Sequence, residues 1–168
     1  MISLFKLLRF LGPTLLFFGT FVVLPPLALS YFNNILDTQL LNIYLGCIAY
    51  SIVIFFTLRQ RKFSYSPKDG FVITFLTWVM ISLLASLPFQ NANMVFYDAL
   101  FEAVSGLTTT GSTVIKDLSL FPDHILLYRQ LLQWAGGVGL VIVVLAIIPA
   151  VSGCLLYTSP SPRDSIRS

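Results

Sequence analysis

The chain has 168 residues, 57% of them hydrophobic and only 10% charged, with a mean hydropathy of +0.87. Soluble domains carry about 25% charged residues, so this composition excludes an ordinary water-soluble fold and indicates an integral membrane protein. The net charge of +3 is small, and the basic residues sit at the edges of apolar stretches rather than along a stripe, which speaks against nucleic-acid binding.

The first apolar stretch, residues 10–31, is long enough at about 1.5 Å per residue to cross a ~30 Å hydrocarbon core. Pro13 and the Pro25-Pro26 pair lie near its ends. A cleaved leader is the rival reading, with Lys6 and Arg9 before the apolar run and Ala28-Leu29-Ser30 after it, but the run is too long for the usual apolar core of such a leader. Residues 40–58 form a second span. Its preceding loop carries Asp37 and no Lys or Arg, whereas Arg59, Arg61, Lys62 and Lys68 follow it, so the positive-inside rule puts the N-terminus and the 59–68 loop in the cytoplasm. Asp69-Gly70 opens a third span over 71–87, which Pro88 is expected to close on the outer side.

Residues 95–107 read as helix but reach only about 20 Å, too short to cross. Asp98 and Glu102 stand four apart on this half-span, and Glu102 should face protein or water, because a carboxylate in lipid costs about 3 kcal/mol or more. The run that follows, Thr108-Thr109-Thr110-Gly111-Ser112-Thr113, reads as an ion filter. Successive backbone carbonyls can replace the hydration shell of a cation. The β-branched threonines favour extended backbone over helix, and Gly111 can take a positive φ that turns a carbonyl. Extended backbone at membrane depth is allowed only where it lines a cavity. The C-terminal end of the half-helix would aim its partial negative charge at the cation.

Residues 114–123 form a polar outer connection, and Pro122 precedes a last span over 124–151. Arg129, Gln130, Gln133 and Trp134 crowd its outer end, followed by Gly136, Gly137 and Gly139, which permit close backbone approach. Trp134 fits an interfacial anchor; Arg129 either sets the field at an outer mouth or snorkels at a helix end. Beyond Gly153 the composition breaks. Cys154 to Asp164 resembles a translated sequencing-library adapter, so 154–168 is expected to be a non-native tail, leaving Cys47 as a lone buried packing residue.

Asp98 to Gly111 resembles the first pore-helix and filter motif of the Trk/Ktr/HKT superfamily of potassium transporters, bacterial Trk type, and Tyr128 to Gly139 resembles the start of the helix after it. The resemblance covers residues 1–153. It implies an all-α integral membrane fold: two leading transmembrane helices with a cytoplasmic loop over 1–62, then one helix, pore-loop, helix unit of a potassium-channel-like fold over 63–153, with the pore helix near 95–107 and the filter at 108–113. Family members carry four such units around one pore, and this chain has one. Carried over by position, the ion-binding carbonyls fall on Thr108, Thr109, Thr110, Gly111 and Ser112, and pore-helix support on Asp98, Glu102 and Ser105. Arg129, Gln133, Trp134, Gly136 and Gly137 are the outer-mouth or packing candidates.

The same resemblance implies K+ as the transported ion with Na+ or H+ as candidate coupling ions, and no cofactor on the chain itself. It implies a homodimer in the bacterial inner membrane, multi-pass with a cytoplasmic N-terminus, and a cytoplasmic nucleotide-binding regulatory subunit. A subunit of a tetrameric two-span potassium channel is one alternative, though Thr-Thr-Gly-Ser replaces the usual filter sequence there. A membrane scaffold would explain the spans but not the filter run. An intramembrane enzyme built on Asp98, Glu102, Ser105, His124 or Arg129 lacks any metal-ligand spacing or nucleophile elbow, and His124 reads as a solvated residue at the interface.

Overall fold

The computed structural model describes residues 4–58, 67–118 and 121–156. The described residues are helical throughout apart from the connections: α1 (Leu4–Phe17), a π-helical segment (Phe18–Val23), α2 (Leu24–Phe32), α3 (Thr38–Leu58), α4 (Pro67–Asn91), α5 (Phe96–Leu107) and α6 (Asp123–Leu156). Among the described residues, three stretches are long and apolar enough to cross a membrane: Leu4–Phe32, Thr38–Leu58 and Asp69–Asn91. Arg59, Arg61 and Lys62, on which the orientation argument leans, lie outside the described residues, as do 157–168. The chain divides into two compact units, Met1–Gly137 and Val138–Ser168. The second continues α6 as far as Leu156.

The first span is one helical rod with a widened turn in its middle. Pro25 and Pro26 have no N–H for the carbonyls four residues back, and their rings crowd those carbonyls. The helix absorbs the pair by widening over Phe18–Val23, where the Leu24 N–H bonds to the Gly19 carbonyl, five residues back. The π segment packs closely on α3: a Cβ added to Gly19 would lie 3.1 Å from the Cβ of Cys47. Cys47 is the buried thiol of that contact. α1 meets α3 through polar bonds as well, from Ser51 Oγ to the Gly12 carbonyl (2.8 Å), from Tyr50 Oη to the Leu8 carbonyl (3.1 Å), and from Arg9 to the Leu58 carbonyl at the end of α3.

Pro88 does not end the third span as the sequence suggested. It removes only the bond to the carbonyl behind it, while its own carbonyl still accepts the Ala92 N–H (3.2 Å), and α4 runs on to Asn91. The actual stop is Asn93, whose φ of 65° lies in the left-handed region. The Asn93 N–H bonds to the Gln90 carbonyl and the Met94 N–H to the Phe89 carbonyl, the double bond pattern of a Schellman cap. The α2 end repeats it, with Asn34 (φ 55°) bonding to Tyr31 and Ile35 to Ser30. Asparagine tolerates this conformation better than most residues.

An apolar core joins the leading helices to the half-helix and the first turns of α6, through Val22, Leu27, Leu40, Phe89, Ala103, Tyr128 and Leu132 among others. Tyr128 is fully buried, its ring 5.5 Å from that of Phe89 and its hydroxyl donating to the Ala85 carbonyl (3.2 Å). The leading hairpin and the half-helix unit are therefore packed as one body.

Candidate ion-filter site

α5 ends where the threonine run begins. The Thr109 N–H bonds to the Gly106 carbonyl (2.9 Å) and the Thr110 N–H to the Ser105 carbonyl (3.0 Å), a third Schellman cap. Here the left-handed position is held by Thr109, at φ 58°. A β-branched residue in this region is a true outlier, costing roughly 1–2 kcal/mol. The run is thus not uniformly extended as its composition suggested: Thr108 closes the helix, Thr109 reverses it, and only from Thr110 onward does the backbone leave regular structure. Gly111 takes a positive φ of 74°. All six residues of 108–113 are exposed in this chain.

Behind that exposed run lies a buried polar lattice. Glu102, fully buried on α5, accepts Thr113 Oγ1 and the Val114 N–H (2.8 Å) on Oε1, and Arg129 Nε (2.8 Å) on Oε2. Arg129 Nη2 reaches on to the Gly111 carbonyl (3.0 Å), and Ser105 Oγ donates to the Ser112 carbonyl (2.6 Å). One carboxylate and one guanidinium therefore tie three pieces together: the half-helix, the outgoing limb of the loop, and α6. Arg129 is 7% exposed, so it neither snorkels nor stands in an open mouth. The carboxylate has its donors and the guanidinium its acceptors, which is the condition for keeping an ion pair away from water.

The candidate residues separate cleanly. Glu102, Ser105 and Arg129 come together behind the loop, while Asp98 stays exposed in the first turn of α5, where an acid complements the helix dipole. Gln133 is half-buried, and its Nε2 would lie 3.7 Å from a Cβ placed on Gly111. Trp134 is 52% exposed. A Cβ on Gly136 would sit 2.1 Å from the Leu107 carbonyl oxygen, so α6 touches the end of α5 only because this residue has no side chain. Gly137 lies beside the Thr109 methyl group, which would be 3.7 Å from an added Cβ.

The carbonyls differ too. That of Thr108 accepts Thr109 Oγ1 (2.7 Å), and those of Gly111 and Ser112 accept Arg129 and Ser105. The Thr109 and Thr110 carbonyls accept nothing from the described residues.

His124 is not a solvated cap at the interface. It is 6% exposed, with Nε2 3.4 Å from Asp37 Oδ2. Asp37 in turn caps α3 through the N–H groups of Gln39 (2.9 Å) and Leu40 (3.2 Å) and accepts Asn91 Nδ2 (3.2 Å). Sequence reasoning missed both this cluster and the Glu102–Arg129 pair, whose members stand 27 residues apart with no local pattern linking them.

The sequence profile described as TrkH, a cation transport protein, matches residues 36–166. The chain belongs to that family. As a member it is an integral membrane protein of a transport family and not an enzyme. Among its relatives is the Trk system potassium uptake protein TrkH of Salmonella typhimurium, 32% identical over 159 residues, which are 92% of this chain and 33% of that protein. The protein of the same description from Halomonas elongata is 38% identical over 166 residues, 95% of this chain and 34% of the relative. The crystal structure of the potassium transporter TrkH from Vibrio parahaemolyticus aligns with a TM-score of 0.74 at 33% identity, over 88% of this chain and 32% of that one. The all-α, channel-like membrane fold is thereby shared, and the chain spans about a third of the length of these relatives.

Proposed function

We propose that this chain contributes one of four filter segments to a pore that carries K+ across the bacterial inner membrane in the direction of uptake. The observation that carries the reading is the exposed 108–113 backbone, set at the end of a 12-residue half-helix and braced from behind by a buried Glu102–Arg129 pair. Exposed non-helical backbone at membrane depth needs a water-filled cavity. One segment cannot enclose a cation, so further segments must complete the ring. The relatives' description as potassium uptake proteins supports K+ as the ion, with coupling to Na+ or H+ as further parts of the same proposal.

Within the filter, the coordinating role falls first on the Thr109 and Thr110 carbonyls, because those of Gly111 and Ser112 already accept hydrogen bonds from Arg129 and Ser105. Gly111 acts through its backbone: its left-handed φ turns the chain so that its carbonyl reaches Arg129. The N-terminus is cytoplasmic in this account, since the basic residues of the sequence cluster at the boundary where α1 begins and α3 ends. A homodimer and a cytoplasmic nucleotide-binding regulator complete the assembly by the resemblance to Trk-type proteins.

The test is Gly111→Ser in the intact transporter, with K+ and Na+ uptake measured at matched membrane amounts. A side chain at φ 74° is strained by roughly 1–2 kcal/mol and shifts the backbone. The K+ to Na+ uptake ratio should fall, or uptake should be lost with the protein still in the membrane; wild-type uptake and ratio would overturn the assignment.

A further inference from the structure

We propose that His124 is a positioning residue for the filter, acting through α6 and held in place by Asp37 of the leading hairpin. The inference rests on the filter reading above and adds a role for the two helices that precede the pore unit. His124 lies in the first turn of α6, and five residues later the same helix presents Arg129 to Glu102 and to the Gly111 carbonyl. A straight helix places these two residues about 7.5 Å apart along its axis, so the orientation of the first turn sets where the guanidinium arrives. Among the described residues that turn has two buried side-chain anchors, the apolar Ile125, which packs into the core, and the polar His124. His124 Nε2 meets Asp37 Oδ2 at 3.4 Å, with side chains only 8% and 5% exposed.

Asp37 is itself held by several donors. Its other oxygen accepts the backbone N–H groups that start α3 and the Asn91 amide at the end of α4, so three elements converge on one carboxylate. One turn beyond His124, the Tyr128 hydroxyl bonds to the Ala85 carbonyl, and Gly136 abuts the end of α5. Arg129 therefore lies between fixed points on both sides, and His124 is the outer one. Loss of the His124–Asp37 contact leaves the first turn held by Ile125 and Tyr128 alone, and a small tilt then displaces the guanidinium from the Gly111 carbonyl, an interaction of defined geometry that tolerates little displacement. The leading hairpin then serves as a strut for the filter.

The experiment measures K+ and Na+ uptake at matched membrane amounts in the intact transporter for His124→Phe, His124→Gln, Arg129→Gln, Gly111→Ser and the double variant His124→Phe with Arg129→Gln. His124→Phe should lower the K+ to Na+ ratio about two- to thirtyfold, the span that coupling through packed elements covers. His124→Gln keeps an N–H for Asp37 and should restore much of the ratio. The double variant should be no worse than Arg129→Gln alone, since both act on one contact. An unchanged ratio in His124→Phe, with only protein amount or maximal rate reduced, would overturn the inference, as would fully additive losses. Should His124→Phe fail to reach the membrane, Asp37→Asn carries the same test: its amide oxygen still caps α3 while the charge facing His124 is gone, and an unchanged ratio there overturns the inference. If Gly111→Ser and Arg129→Gln both leave the ratio intact, the filter reading itself falls and takes this inference with it. An altered ratio in those two beside an unaltered one in His124→Phe removes this inference alone.

Discussion

Three helices of this chain end in the same cap, and the residue at the left-handed position tells them apart. Asn34 and Asn93 fill it where the chain only needs to turn; Thr109 fills it at the proposed filter. Backbone strain of this kind persists when the surroundings impose it, and it gathers at functional positions. Thr109→Asn should therefore raise the thermal stability of the purified protein by the equivalent of about 1 kcal/mol. A drop in midpoint would mean that the Thr109 methyl packed beside Gly137 outweighs the strain. Glu102→Gln tests the brace. It leaves the Arg129 guanidinium buried beside a neutral amide, and breaking a buried pair costs on the order of 3 kcal/mol or more. Denaturant or thermal unfolding in detergent should register that loss together with reduced uptake, and a wild-type unfolding curve would mean that water already shares the site. Asp37→Asn is not a neutral control for it, because Asp37 holds a cap and a histidine.

The short helix over 95–107 was legible because its length and period are local quantities: α5 is Phe96–Leu107, and the threonine run starts where the helix stops. The widened turn at Phe18–Val23 was signalled by Pro25-Pro26, yet proline patterns alone do not say whether a helix breaks, kinks or widens. Pro88 shows the same ambiguity, read as a stop and found inside α4 because only its upstream bond is lost. The partners of Arg129 and His124 were illegible for a different reason. Both arise from tertiary packing between segments far apart in sequence, and a single sequence carries no record of which buried acid meets which base. The glycines after Trp134 announced a close approach without naming the partner, which is the Leu107 carbonyl. Gly136→Ala should push α6 away from α5 and lower stability by about 1–3 kcal/mol, the usual cost of overpacking, read as a lower unfolding midpoint. No change would show that the two helices separate freely at this point.

At the scale of the whole molecule, the chain spans a third of its relatives' length and leaves the proposed filter run, residues 108–113, exposed. Its fold already contains what one segment needs: a half-helix, a strained loop, and a buried ion pair that fixes the loop to α6. What it lacks is the rest of a ring, which in this account comes from further units of the same kind. The most direct measurement is anomalous diffraction from crystals of the intact transporter grown with Rb+ in place of K+. The account predicts an Rb+ peak within coordination distance of the Thr109 and Thr110 carbonyls, with Arg129 still bonded to the Gly111 carbonyl. A filter bearing Rb+ only at other positions, or none at all along residues 108–113, would contradict it.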